Sequence, residues 1–326
     1  MRVVSGIQPS GKLHLGNYYG AIRPQLELQE ANHECFYFIA DYHALTSLHD
    51  RSKLSEYTRE IAASYLGLGL DPNRTVFFRQ SDVPEVTELA WILSTVTPLG
   101  LLQRSHAYKD TLARGMNPTH GLFSYPMLQA ADILIYRGEA VPVGADQQQH
   151  IEMAQDIQAK FNHVFKSNFL VRPEPIINKD SAILPGIDGR KMSKSYHNTI
   201  ALFCHPQEAR DRFMSIVTDS TPTSEPKDPD KSSLMEFMRA MADADEVARW
   251  ARRYRQGGMS YQEIKERLIE LFLSTFEPAK KRYEDWMQRE NEIEKILTVG
   301  AHKARAVAQK TLRTVRDACG LPTDSG

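Results

Sequence analysis

Two stretches of this 326-residue chain carry side chains suited to handling phosphate. The first, SGIQPSGKLHLGNYYG (5–20), has the order strand, tight turn, helix start, and contains His14, Gly16 and Asn17. A helix N-terminus offers free N–H groups and a partial positive charge, a setting that suits a triphosphate. Gly16 lets a base or ribose approach the backbone closely, and His14 and Asn17 can hydrogen-bond phosphate or ribose. The stretch matches neither GxxxxGK[ST] nor GxGxxG, so neither common nucleotide motif is supported. The second, PGIDGRKMSKSYHN (185–198), sets Lys191 and Lys194 around Met192 and Ser193, with Ser195 following, in a glycine-rich loop. Two lysines on long stems can neutralise charge developing on a leaving pyrophosphate. Taken singly, each stretch also fits something plainer: a glycine turn with a surface histidine, and a solvated basic loop. A third feature is the carboxylate of Asp132 inside the apolar run AADILIY, costly unless partnered. Capping a helix, pairing with Arg137, or accepting from a ligand all remain open for it at this point.

The elements that must hold these residues read as alternating strands and helices. Arg2 to Ser5 is a β-branched run, Cys35 to Ala40 a continuous apolar run typical of a buried parallel strand, and Thr75 to Phe78 a third strand. Residues 53–69 show helical spacing between the second and third. Residues 83–137 read as mostly helical, Val141 to Gly144 as a further strand and Gln147 to Phe161 as a helix. The sum is an α/β fold with a parallel sheet. Residues 218–233 are polar and proline-rich and are expected to be mobile, and helix follows from Ser233 to Gly320.

Composition excludes some classes. Lys+Arg 40 against Asp+Glu 41 gives no overall pull toward nucleic acid, so any RNA-binding face must be local. Three scattered cysteines leave no zinc or iron–sulfur pattern and suit a reducing cytosol. No signal peptide or membrane span is expected, and a cytoplasmic location follows.

The two phosphate motifs together, with HLGN near the N-terminus and KMSKS after the sheet, resemble the class I aminoacyl-tRNA synthetases. Length and motif placement narrow the resemblance to the tyrosyl and tryptophanyl branches. SGIQPSG (5–11), YPMLQAADILIY (125–136) and VPVGADQQQHIE (141–152) resemble the tryptophanyl one. Asn17 stands where the general motif ends in His, a departure usual in that branch. The resemblance implies a Rossmann-like catalytic domain over 1–190, with a helical insertion and dimer interface at about 100–170. The KMSKS loop and a helical anticodon-binding domain would occupy 191–326. It further implies tryptophan–tRNA ligase activity: L-tryptophan activated by ATP with Mg2+, then transferred to tRNA(Trp), by a homodimer.

Site residues follow residue by residue. His14, Asn17, Lys191 and Lys194 would be catalytic. Gln8, Pro9, Ser10, Gly16, Asn17, Gly144, Ala145, Asp146, Ile183, Leu184 and Lys191 to Ser195 would meet ATP. Tryptophan would be held by Asp132, Gln147, Tyr125, His43, Gln129, Val4 and Gln8. Indole has a single N–H donor, so a selective pocket needs one acceptor in an apolar wall, and in this family the residue matching Asp132 supplies it. Three positions depart from relatives. Val4 replaces a phenylalanine, Ala145 a glutamate, and Gln129 a methionine; the Gln129 amide is expected to face the Asp132 carboxylate. No metal ligands are assigned, since Mg2+ would ride on the triphosphate. Lys303, Lys310 and Arg313, and separately Arg252, Arg253 and Arg255, are basic clusters that either contact tRNA or are solvated helix faces. A tyrosyl enzyme and a non-catalytic paralogue are rival readings, as is an unrelated nucleotidyltransferase of the same superfamily, which would lack a reason for the long helical C-terminal part. The AADILIY segment weighs against the first, and two intact motifs against the second.

Overall fold

Alternate residues of the first strands are apolar on both sides because each strand is covered on both faces. In the computed structural model, which describes residues 1–144, 147–177 and 184–323, β1 (Arg2–Ile7) and β2 (Glu34–Ile39) pair in parallel from Arg2 opposite Glu34 to Ile7 opposite Ile39. Val3, Cys35, Tyr37 and Ile39 enter one core, and Val4, Phe36 and Phe38 enter the other. With β3 (Thr75–Arg79), β4 (Ala140–Val143) and β5 (Glu174–Ile177) they form a five-stranded parallel sheet in the order β3-β2-β1-β4-β5. The order reverses at β1, so a crevice opens where the C-terminal ends of β1 and β4 lie side by side. Open α/β sheets bind ligands there.

Helices α1 (Leu15–Asn17) and α2 (Arg23–Glu30), joined by a π-helical turn, follow β1. After β2 come α3 (Asp41–Ala44) and α4 (Arg51–Leu68). Asp50 caps α4 by accepting from Ser52 N and Lys53 N, and Gly69, at φ 112°, closes it in the left-handed conformation that glycine tolerates. On the other face lie α5 (Glu85–Ser94), α6 (Leu99–Leu102), α7 (His106–Ala113) and α8 (His120–Leu134), then α9 (Gln148–Val164) after β4. The stretch 100–170 thus carries helices with β4 set between α8 and α9.

Beyond the loop at 185–198 the chain is helical: α10 (Pro206–Met214), α11 (Ser233–Met241), α12 (Ala244–Gln256), α13 (Tyr261–Met287) and α14 (Glu290–Ala318). Two glycines bring this part against the sheet domain. A Cβ on Gly67 of α4 would lie 2.9 Å from the Tyr283 nitrogen of α13, and one on Gly300 of α14 would lie 1.8 Å from the Phe77 carbonyl oxygen of β3. Arg305 and Arg316 of α14 also pair with Glu85 and Glu88 of α5.

The segment 218–233 differs from expectation: it is pinned rather than loose. Lys227 is buried, donating through Nζ to the carbonyls of Pro222 at 2.8 Å and Glu225 at 3.3 Å, with its ammonium over the Tyr261 ring. Tyr261 also donates to Asp219 at 2.6 Å. Composition alone suggested solvent, but one buried cation recruits enough carbonyls to fix the loop.

Candidate active site

The crevice at the C-terminal ends of β1 and β4 holds a cavity of about 240 Å³. All seven side chains expected for tryptophan line it: Val4, Gln8, His43, Tyr125, Gln129, Asp132 and Gln147. Val4 and Gln8 come from β1 and the turn after it, His43 from α3, three from α8, and Gln147 from the start of α9. Phe38, Ile133 and Val141 add apolar wall.

Asp132 lies at the buried end, 2% exposed. His43 Nε2 approaches its Oδ2 at 2.9 Å, and Gln80 Nε2 donates to Oδ1 and Oδ2, each at 2.8 Å. Burial pushes the Asp132 carboxyl upward, and the His43 and Gln80 contacts pull it back. Neither a helix cap nor a pair with Arg137 explains Asp132, because the Arg137 guanidinium lies over the Phe169 ring, 4.6 Å from its centroid. The expected Gln129 contact is also replaced. Gln129 lines the cavity, but the bonds to the carboxylate come from His43 and Gln80. Sequence reasoning missed Gln80. It sits just past β3, and its Oε1 accepts from the backbone nitrogens of Tyr42 at 3.1 Å and His43 at 3.4 Å. One amide thereby ties the start of α3 to Asp132. A polar residue directly after an apolar strand, in TVFFRQ, was the available signal.

At the cavity mouth, Tyr125 Oη lies 2.5 Å from His150 Nε2, and His150 Nδ1 lies 2.7 Å from Gln147 Oε1. His150 is a second residue that sequence reasoning did not single out. Gln8 Nε2 reaches the His43 carbonyl at 3.4 Å, at the long end of hydrogen bonding.

The two phosphate motifs, far apart in sequence, meet beside this cavity. Asn17 Oδ1 accepts from His14 N at 3.1 Å. Gly16 N donates to the Met192 sulfur at 3.4 Å, and Leu15 N and Leu202 N bond across to Ile200 and Leu13 carbonyls, each at 3.0 Å. Gly16 packs closely: a Cβ there would stand 3.1 Å from the His14 ring, a tight contact, and 3.5 Å from Met192 Cβ, an ordinary one. Lys194 Nζ donates to Gly11 O at 2.8 Å and Ser10 Oγ at 3.3 Å. Burial lowers the Lys194 amine to about 8. Burial, with Lys194 nearby, lowers the His14 imidazole to about 4, so His14 is neutral near pH 7. Among the described residues His14 Nδ1 is buried without a hydrogen-bond partner. Pro9 is buried and Ser10 exposed in the turn beneath Lys194.

The loop is held open-handed by Asn198, which sequence reasoning did not pick out. Its Oδ1 accepts from Ser193 N at 2.8 Å, and its Nδ2 donates to Asp188 at 2.7 Å and to the Lys191 carbonyl at 3.2 Å. The Asn198 bond, with Arg190, lowers the Asp188 carboxyl to about 2. A Cβ on Gly186 would lie 2.2 Å from Asn198 Nδ2, so Gly186 is needed for this contact rather than for flexibility. Ser193 and Ser195 hydroxyls lie 2.9 Å apart, and Met192 N donates to the Leu184 carbonyl at 3.4 Å. Lys191 is exposed in the loop, and Gly144 directly follows β4. Ala145, Asp146 and Ile183 lie outside the described residues.

Set beside known proteins, this arrangement has a clear class. Residues 1–277 match the family described as tRNA synthetases class I (W and Y). The tryptophan–tRNA ligase of Fusobacterium nucleatum is 45% identical over 320 residues, covering 98% of each chain. That of Rhodopirellula baltica is 47% identical over 321 residues, covering 98% of this chain and all (100%) of the relative. The crystal structure of tryptophanyl-tRNA synthetase from Campylobacter jejuni complexed with ADP and tryptophan superposes with a TM-score of 0.87 at 44% identity, covering 98% of this chain and 100% of that one. The chain belongs to the class I tRNA synthetases of the tryptophan and tyrosine group and, within them, to the tryptophan–tRNA ligase family.

Proposed function

We propose that this protein activates L-tryptophan with ATP and loads it onto tRNA(Trp). The observation that carries the reading is the cavity beside the two phosphate motifs that is closed at its buried end by the Asp132 carboxylate. An ionised carboxyl has about four acceptor positions. His43 and Gln80 occupy up to three of them, which leaves room for one indole N–H. Tyr125, Gln147 and Gln8 meet the polar end of the amino acid. The substrate carboxylate attacks the ATP α-phosphorus, the bond to the β-phosphate oxygen breaks, and pyrophosphate leaves with the electron pair. Lys191 and Lys194 stabilise that charge, while His14 and Asn17, with the backbone at Gly16, hold phosphate or ribose. The adenylate then passes its acyl group to a ribose hydroxyl of the tRNA terminus, releasing AMP. Gln8, Pro9, Ser10, Gly144, Ala145, Asp146, Ile183, Leu184 and Met192 to Ser195 complete the nucleotide site.

Mg2+ fits this donor set as a companion of the triphosphate. The loop offers ammonium and hydroxyl groups to phosphate oxygens rather than a carboxylate cage. When bound, the ion would shield the β- and γ-oxygens, and the chain's own work remains positioning.

The division we favour is a catalytic part at 1–190 and a part at 191–326 carrying the KMSKS loop and the anticodon-binding helices. Lys303, Lys310 and Arg313 on α14 are exposed and free to face RNA phosphates, whereas Arg253 and Arg255 are engaged by Glu263 and Asp230. A homodimer is supported by large exposed apolar residues on one stretch of chain: Trp91 at 72%, Leu99 at 68%, Leu112 at 48% and Met116 at 50% exposure. Among the described residues no helix is long and apolar enough to cross a membrane, and the cysteines are unpaired, in keeping with a cytosolic enzyme. Amino-acid-dependent ATP–pyrophosphate exchange tests the activation step on which the reading rests. Exchange with tryptophan and not tyrosine is expected, and exchange with neither would overturn it.

A further inference from the structure

We propose that Glu60 is a positioning residue for Lys194: from α4 it supplies the counter-charge that holds the ammonium, charged, on the Ser10–Gly11 turn until a triphosphate takes its place. This rests on the reading that Lys194 serves the triphosphate. The docked ammonium touches only neutral acceptors, Gly11 O and Ser10 Oγ. A half-buried ammonium with neutral partners alone is costly to keep charged. Helix α4 packs on the same turn. Gly11 is at φ +100°, and a Cβ there would lie 3.6 Å from the Tyr57 ring and 3.8 Å from Lys194 Nζ. One turn along α4, Glu60 lines the same small cavity as Gly11 and Lys12, about 230 Å³ in volume. Its Oε2 is buried and makes no hydrogen bond among the described residues. Such a carboxylate oxygen is poorly placed for a purely structural role, since a structural role would satisfy it.

The other groups on the elements around Lys194 are cationic or neutral, apart from Glu56 and Glu208, which are exposed to solvent, whereas Glu60 is half-buried. The α1 start offers His14 and the turn offers Lys12. The loop offers Lys191, and α4 adds Tyr57, Arg59 and Glu56. Helix α13 contributes Tyr283 and α10 Glu208, which line the Glu60 cavity. Burial pulls the Lys194 amine down to about 8, and Glu60 opposes it. Burial, then Glu56, raises the Glu60 carboxyl, while Lys12, Lys194 and Arg59 draw it down. Bound ATP brings its own negative charge, so Glu60 matters chiefly in the free enzyme. The free enzyme governs kcat/KM for ATP rather than kcat.

The test has two arms on the full-length protein. In the first, ligand-free parent, Glu60→Gln and Glu60→Asp are labelled with acetic anhydride across pH, and modification of Lys194 is read by peptide mass spectrometry. The labelling midpoint should fall in Glu60→Gln and return toward the parent in Glu60→Asp. In the second, tryptophan-dependent pyrophosphate exchange is followed with pH. At pH 8, kcat/KM for ATP in Glu60→Gln should fall about three- to tenfold, and by more than kcat, with the alkaline limb moved to lower pH. Superimposable labelling curves for parent and Glu60→Gln would overturn the pairing. Lys194→Ala serves as the control: if it exchanges at the parent rate, the assignment of Lys194 to the triphosphate fails, and the labelling arm still decides whether Glu60 holds it.

Discussion

Replacing Asp132 by Asn is the sharpest probe of the indole pocket, because the change is isosteric and its two consequences have different signs. The native carboxylate accepts from His43 Nε2 at 2.9 Å and from Gln80 Nε2 at 2.8 Å on each oxygen. An asparagine keeps one acceptor oxygen and turns an NH2 toward a site built for donors. Recognition loses a charge-assisted acceptor for the indole N–H, and one donor at the pocket floor is left facing another. Each such loss costs roughly 1–3 kcal/mol, and together about 2–4 kcal/mol of transition-state binding is expected. That converts to about a 30- to 1000-fold fall in kcat/KM for tryptophan. Folding stability should move much less, because removing a fully buried charge relieves a desolvation cost that offsets the lost bonds. Pyrophosphate exchange at varied tryptophan reads the first quantity, and urea denaturation the second. A kcat/KM within about threefold of the parent, in a folded protein, would refute Asp132 as the indole acceptor.

The remaining predictions are more local. Lys194→Ala should lower the exchange rate about 100- to 1000-fold while tryptophan binding, measured by calorimetry, stays near the parent value. Gly300→Ala should destabilise by about 2–3 kcal/mol or more, seen as a lower thermal midpoint, because its methyl would sit 1.8 Å from the Phe77 carbonyl oxygen and α14 must shift. His14 is buried neutral with its imidazole at about 4. The unfolded chain therefore binds a proton below about pH 6.5 that the native protein does not accept until pH 4, and stability is lost as pH falls through that window. The loss should be about 2–3 kcal/mol, and urea midpoints of His14→Gln should fall less steeply with acid than the parent's. Trp91→Glu combined with Leu99→Glu should convert a dimer to a monomer in analytical ultracentrifugation; a dimer that persists would remove the 91–116 surface from consideration.

Where the residues themselves carried a periodic or motif signal, fold and site were legible. The apolar run before Asp41 became β2, and HLGN and KMSKS came together as their shared chemistry suggested. All seven pocket residues face one cavity. What escaped was set by partners distant in sequence. Strand β5, Glu-Pro-Ile-Ile, is four residues long at a sheet edge and carries a proline, so it has no alternation to read. Gln80 looks like any polar residue after a strand until Asp132, 52 positions away, is placed beside it. Gly186 looks like any glycine of a glycine-rich loop until the Asn198 amide, whose space a Cβ would take, is placed beside it. None of these partnerships has a local spacing, so only the packed chain reveals them.

Helix α14 has one more consequence. It starts at Glu290, far downstream of every strand of the sheet, yet it lies along β3, the outermost strand on its side, and locks to α5 through Arg305 and Arg316. During synthesis the strands of the sheet emerge first and must wait, with that flank and part of the second core uncovered, until α14 leaves the ribosome. A truncated or stalled product would present a bare strand edge, the surface most apt to pair with another chain. Completion of the sheet domain is thus tied to the arrival of α14, so a fragment carrying both phosphate motifs but lacking α14 is poised to aggregate.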